Sequence, residues 1–175
     1  SEMCIRDRQS TAPIEIADID ALRKLVDGGV SMISFLGHSA AFRLDYNVED
    51  VYSYNNKDKY HIFLAMGCYA GQMFENFKSV SEQFNLPPDR GSIIYLANTT
   101  AGIPSILGIA TAEFYRLIGG RLYGATVGEI IKETNIELLK KPDEKTNTQA
   151  LSITFNGDPA IRLHVNPDQD FTIDA

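Results

Sequence analysis

A mixed α/β domain built on a mostly parallel sheet is the fold that the sequence predicts. Three nearly uncharged runs carry that expectation: residues 30–36 (VSMISFL), 61–66 (HIFLAM) and 92–97 (SIIYLA). They are short enough for strands and lack the apolar–polar alternation of a strand with one wet face. Each therefore reads as buried on both sides. Helix-like segments separate or flank them, which argues for helices on both faces of the sheet. A chain of 175 residues, 44% of them hydrophobic, can build one such domain with a sizeable core.

The elements follow in order. Between residues 16 and 26, Ile19, Leu22, Leu25 and Val26 recur at helical spacing, and Gly28-Gly29 supplies a stop. The first strand run ends in Gly37-His38-Ser39. Residues 40–60 are polar and tyrosine-rich (Tyr46, Tyr52, Tyr54, Tyr60) and read as a surface excursion, whose rings either form a binding surface or, in the favoured reading, pack a long loop over the domain. The second strand run leads into Gly67-Cys68-Tyr69-Ala70-Gly71. Ser79 and Glu82 have the spacing of a capping box and open a short helix, and Pro87-Pro88-Asp89-Arg90-Gly91 is a loop. The third strand run turns at Asn98-Thr99-Thr100. Ile103, Ile106, Leu107, Ala110, Phe114, Leu117 and Ile118 then mark one helical face that ends at Gly119-Gly120. Thr126 and Glu129 form a second capping box ahead of a helix with Val127, Ile130, Ile131 and Leu138 on its apolar stripe. Residues 140–148 read as a solvated loop, and residues 160–165 as a last strand after the Asn156-Gly157-Asp158-Pro159 turn. Residues 166–175 are polar and suit a tail or the start of a linker.

Composition excludes several classes. There are 23 acidic against 16 basic side chains, a net charge of −7, which leaves no electrostatic footprint for nucleic acid or an anionic membrane. No run reaches the roughly 18 apolar residues of a membrane span. Residues 1–8 stand apart, because Ser1-Glu2-Met3-Cys4-Ile5-Arg6-Asp7 is the translation of a common sequencing-library adapter. They are expected to be foreign to the protein and are set aside. Their two acids and two bases cancel, but Cys4 goes with them and leaves Cys68 as the one cysteine. A single thiol cannot form an internal disulfide. The natural N-terminus is then expected to be missing, so the lack of a signal peptide says nothing about compartment.

Ligands of open parallel sheets bind beyond the carboxyl ends of the strands. Those ends carry Gly37-His38-Ser39, Gly67-Cys68-Tyr69 and Asn98-Thr99-Thr100. A base and a thiol thus end two strands that can be neighbours, each beside a glycine that admits close backbone approach. Acyl transfer needs a thiolate, an imidazole within proton-transfer reach, and backbone N–H groups aimed at the oxyanion. The N–H groups of Ser39 and Cys68 are the candidates for the last role. A buried cysteine and a hydrogen-bonded histidine meeting by topology alone is the bland alternative. His61, at the start of its strand, and His164 read as structural or solvated, and Asp158 as a turn builder.

These residues meet a family. The segment from Asp27-Gly28-Gly29 through Phe35-Leu36-Gly37-His38-Ser39 resembles the helix–glycine–strand–GHG stretch of gingipain-type cysteine peptidases. That family belongs to the caspase-like superfamily and includes the sortase of type IX secretion. Phe63-Leu64-Ala65-Met66-Gly67-Cys68-Tyr69-Ala70-Gly71 is similar to the family's nucleophile strand, with His38 thirty residues ahead of Cys68. Residues 91–97 resemble the next strand, and Gly157-Asp158-Pro159-Ala160-Ile161-Arg162-Leu163 resembles the element that closes the catalytic domain. Ser39 departs from the pattern by replacing the second glycine of GHG, and its side chain is expected to narrow the cleft.

The resemblance implies a caspase-like three-layer sandwich, truncated on its N-terminal side, with residues 9–165 as a partial catalytic domain. It implies a Cys68–His38 dyad that works through a thioester and needs no cofactor or metal. Gly37, Gly67, Asn98, Thr99 and Thr100 are expected around the substrate, with the loop 98–104 as one wall of the side-chain pocket. Partners would be protein or peptide substrates and type IX secretion components, at an extracellular or outer-membrane surface location. Hydrolysis and sortase-like transpeptidation both stay open, and a catalytically inactive caspase-like binding module is the alternative. A Rossmann-type nucleotide binder is disfavoured, because neither GxGxxG nor GxxxxGK[ST] follows a strand.

Overall fold

The computed structural model describes residues 19–45, 50–74, 78–140 and 143–163. Residues 1–8, Tyr46, His164 and the tail lie outside that set. The main sheet uses β1 (Met32–Leu36), β4 (His61–Met66), β5 (Ser92–Asn98) and β6 (Ile153–Gly157), in that spatial order. β1, β4 and β5 run parallel, and β6 is antiparallel to β5. β2 (Ser39–Ala40) and β3 (Arg43–Leu44) form a small separate hairpin. The helices are α1 (Ile19–Gly28), α2 (Val80–Asn85), α3 (Pro104–Ile118), α4 (Val127–Leu139) and α5 (Glu144–Leu151).

Side-chain alternation on the two central strands builds the layers. Every residue of β4 is buried. Phe63, Ala65, Tyr95 and Ala97 join Val26 of α1 and Val80 and Phe84 of α2 in one core. Leu64, Met66 and Leu96 join Leu107, Phe114, Leu117 and Ile130 of α3 and α4 in the other. The continuous apolar runs are thus the signature of a sheet covered on both faces. Within the first core, Phe63 stacks on Phe84 at 4.7 Å and on Tyr95 at 5.2 Å. Such pairs add about 1 kcal/mol each beyond their buried area.

Both capping boxes form. The Ser79 hydroxyl and the Glu82 carboxylate exchange bonds with each other's backbone at the start of α2, and Thr126 with Glu129 does the same for α4. Three segments depart from the sequence expectations. Residues 40–45 and 50–60 reach inward: Leu44, Val51 and Tyr54 are core residues, while Tyr52 stays exposed. Asn56 is fully buried, donating to the Gly91 carbonyl and accepting from its N–H. Much of the expected loop 140–148 is α5, capped by Asp143, whose carboxylate accepts from Thr146 N at 2.9 Å. The last strand precedes the Gly-Asp-Pro turn as β6, and residues 160–163 contribute only the bridge between Arg162 and Thr126. Asp158 builds the turn, its Oδ1 accepting from Ala160 N at 2.8 Å.

Candidate active site

Parallel register brings the ends of β1 and β4 side by side, with Leu36 opposite Met66. The next residues continue that proximity, Gly37 N donating to the Met66 carbonyl at 3.3 Å. His38 and Cys68 follow directly and line one cavity of about 300 Å³ at the carboxyl edge of the sheet. Leu36 and Met66 form its strand side; Gly102, Ile103, Pro104 and Leu107 form the side contributed by the start of α3. His38 is exposed and Cys68 is half-buried.

The surroundings of Cys68 are specific. Its Sγ accepts from Gly102 N at 3.3 Å, and its S–H can donate to Gly102 O at 3.8 Å. Gly102 immediately precedes Ile103, the N-cap of the 15-residue α3, with Pro104 at the first helical turn. The sulfur therefore lies beside a helix N-terminus, a position that favours negative charge. Tyr69 has a φ of 57°, unusual for a non-glycine residue. Its N–H donates to Thr100 O at 2.8 Å, and Gly71 N donates to Asn98 O at 2.8 Å. The turn after Cys68 is thereby tied to the turn after β5.

A model of peptidase family C25 matches residues 6–164. The chain belongs to peptidase family C25, the gingipain-type cysteine peptidases. Two solved structures share the caspase-like fold. The complex of Porphyromonas gingivalis RgpB pro- and mature domains superposes with a TM-score of 0.76 at 14% identity, over 83% of this chain and 37% of that one. The crystal structure of the Arg-specific cysteine proteinase gingipain R gives 0.75 at 13% identity, over 84% and 36%. This chain thus spans little more than a third of each. No curated protein gives a significant match.

Within this C25 chain the sequence-predicted residues divide into groups. His38, Gly37 and Cys68 share the cavity. Of the loop 98–104, Gly102, Ile103 and Pro104 line it, whereas Thr100 lines an adjoining depression that shares Ile103 and includes Glu144 and Lys145. Asn98 is fully buried and acts as a brace: Nδ2 donates to Thr100 O at 2.5 Å, and Oδ1 accepts from Gln149 Nε2 at 2.5 Å and Ser152 Oγ at 2.6 Å. Thr99 bonds the Ser152 carbonyl through both N–H and hydroxyl, each at 2.9 Å. Both residues join β5 to the end of α5 and are not among the cavity's lining residues.

Ser39 also departs from expectation. Its side chain does not line the cavity; Oγ donates to the Cys68 carbonyl at 2.8 Å. Gly67 makes room for it, since a Cβ there would lie 2.1 Å from Ser39 Oγ. The GHS departure is visible in the sequence, whereas its complement in Gly67 depends on a contact across two strand ends. Leu36, Met66, Ile103 and Leu107 likewise look like core or helix-face residues in the sequence, because apolar spacing does not distinguish a cavity wall from a core. His61 is fully buried at the opposite end of β4, edge-on to Phe63 and Phe84, and burial pushes its imidazole down to about 4.

Proposed function

We propose that this C25 chain carries the catalytic dyad of a cysteine-type endopeptidase, with Cys68 as nucleophile and His38 as general acid and base. The observation that carries the reading is the shared cavity: the thiol and the imidazole, from the ends of adjacent parallel strands, line the same space. In the reaction, the Cys68 thiolate attacks the peptide carbonyl, forming a C–S bond while the carbonyl electrons move to oxygen. His38 in its protonated form gives its proton to the leaving nitrogen as the C–N bond breaks. The neutral imidazole then takes a proton from the incoming nucleophile, which attacks the thioester and releases the thiolate. Water as nucleophile gives hydrolysis; an amine gives the sortase-type transfer of type IX secretion. The backbone N–H groups of Ser39 and Cys68 are the proposed oxyanion donors. Two features support the nucleophile assignment: the Gly102 N–H directed at Sγ and the adjoining N-terminus of α3.

Family membership supports protein or peptide substrates and an extracellular or outer-membrane surface location. Among the described residues no helix is long and apolar enough to cross a membrane. The test is turnover of a casein-derived peptide library, analysed by mass, by the chain and by Cys68→Ala and His38→Ala. Cleavage is expected from the parent and should fall by at least about 1000-fold in either variant. Cleavage unaffected by both substitutions would remove the dyad. Folded parent protein that binds peptides without cleaving them would favour the non-catalytic binding module.

A further inference from the structure

We propose that Gln149 of α5 is a positioning residue for Cys68: it holds the start of α3 in place, so that the Gly102 N–H meets the sulfur. The proposal rests on the cysteine-peptidase reading above and extends its machinery to a helix whose residues are not among those lining the cavity.

The start of α3 lacks the device that fixes α2 and α4. Those helices begin at Ser79 and Thr126, whose N–H groups each donate to the glutamate three residues on. α3 has Ile103 as its N-cap and Ile106 three residues on, and neither offers a side-chain acceptor. Gln149 supplies one from another helix, its Oε1 accepting from Ile103 N at 2.8 Å. Its Nε2 donates to Asn98 Oδ1 at 2.5 Å and to Ser152 Oγ at 2.9 Å. These partners fit one orientation of the amide, because a backbone N–H must face the oxygen. Gln149 is 3% exposed and Asn98 is fully buried, so bulk water does not compete for the bonds. The next residue, Ala150, anchors α5 in one cluster with Ala110 of α3 and Leu138 of α4.

The sulfur is one residue away from that bond. Gly102 N, directly before Ile103, donates to Cys68 Sγ at 3.3 Å, while the Gly102 carbonyl oxygen lies farther off at 3.8 Å. A backbone donor near the positive end of a helix favours the thiolate over the thiol. Its effect depends on being held in place before the charge forms. Gly102 has no side chain with which to anchor itself, and a Cβ there would lie 2.5 Å from Leu107 Cδ1. The Asn98 amide completes the frame. Its Nδ2 donates to Thr100 O at 2.5 Å, and Thr100 O accepts from Tyr69 N. Through Asn98, Gln149 therefore ties the backbone that follows Cys68 to the backbone that faces its sulfur.

The experiment follows alkylation by iodoacetamide from about pH 5.5 to about pH 9.5, with peptide mapping that separates Cys68 from Cys4. At about pH 6, Cys68 of the parent should react at least about tenfold faster than a short cysteine peptide. Gln149→Met keeps the length and removes the amide. It should lose about fivefold of that rate at about pH 6 and converge with the parent near pH 9.5, where both thiols are ionised. Asp143→Ala removes the cap of α5 and leaves the bonds of Gln149 in place, so its profile should match the parent's. The Gln149→Met loss should persist in a His38→Ala background, where the imidazole contributes nothing. An unchanged profile in Gln149→Met, or an equal loss in Asp143→Ala, would overturn the positioning role and leave the dyad intact. A profile that His38→Ala leaves unmoved would remove the dyad and leave the role of Gln149 standing. If Gln149→Met does not fold, the parent decides: Cys68 no more reactive at about pH 6 than the short peptide would overturn the proposal.

Discussion

Ser39 and Gly67 form a matched pair at the centre of the site. The serine hydroxyl holds the Cys68 carbonyl at 2.8 Å, in space that exists because residue 67 has no side chain. That bond fixes the peptide plane between Cys68 and Tyr69, and Tyr69 holds a left-handed φ of 57°. Among the described residues the other non-glycine positive φ values belong to Asp58 and Asp89, so Ser39 itself takes ordinary angles. Ser39→Gly should therefore fold but hold Cys68, the proposed nucleophile, less firmly. A net hydrogen bond of about 1 kcal/mol corresponds to a loss of roughly fivefold in kcat with KM little changed. Steady-state kinetics on a cleaved peptide measure it, and an equal kcat for Ser39→Gly and the parent would contradict the role. Gly67→Ala should be much worse, because its methyl would collide with Ser39 Oγ and lie 2.8 Å from Gly37 O.

The elements that hold the site are joined by polar braces as much as by apolar packing. Asn98 ends β5, bonds the Thr100 carbonyl and receives Gln149 and Ser152 from the end of α5. Thr100 O in turn receives Tyr69 N, so α5, β5 and the turn after Cys68 form one connected network. Asn98→Ala leaves several of these buried groups unsatisfied and should cost about 2–3 kcal/mol in chemical denaturation. A loss under about 0.5 kcal/mol would show that the brace is dispensable. The strands β1, β4 and β5 were legible because residues buried on both faces leave an uninterrupted apolar run. α2 and α4 were legible from their Ser79/Glu82 and Thr126/Glu129 boxes. α5 was not, because Glu144–Leu151 is largely polar and is held by its Asp143 cap and the buried Gln149 rather than by an apolar stripe. β6 was missed for a related reason. Its residues are only partly buried at the sheet's edge, and the apolar residues after the Gly-Asp-Pro turn resemble a strand more closely than the ITFNG run before it. His38 and Cys68 could be read from sequence because both directly follow strands. The buried role of Asn98 could not, since a polar residue at a strand end looks the same whether it faces ligand or α5.

At the scale of the whole molecule, acid should unfold this domain through a group far from the cleft. His61 is buried among aromatic rings and its folded-state value of about 4 lies below the ordinary 6.5, because burial disfavours the cation. Above pH 6.5 both folded and unfolded states hold it neutral, and stability is complete. As pH falls from 6.5 towards 4 the unfolded chain takes up a proton that the folded chain refuses. Stability is lost across that window, by about 3 kcal/mol at its lower end. Glu82, Glu129 and Asp143 are held below the usual carboxylate range by their cap bonds, and they add an acid loss at lower pH. His61→Phe keeps an aromatic ring beside Phe63 and Phe84 and removes only the first loss. Urea midpoints at pH 7 and 4.5 should converge for His61→Phe relative to the parent; parallel shifts would contradict the burial argument.

The cleft itself is a whole-molecule product, assembled where three parallel strands and the start of α3 meet. If the cleft is a peptidase site, Cys68 is a nucleophile activated by His38, and its sulfur should displace the carboxylate of a peptidyl acyloxymethyl ketone to form a thioether. The most direct measurement is intact-mass analysis of the chain after brief exposure to such a ketone, with peptide mapping of the adduct. One adduct per chain on Cys68, absent in Cys68→Ala and slowed at least about 100-fold in His38→Ala, is the predicted result. An adduct elsewhere, or labelling of Cys68 at the same rate without the His38 imidazole, would contradict it.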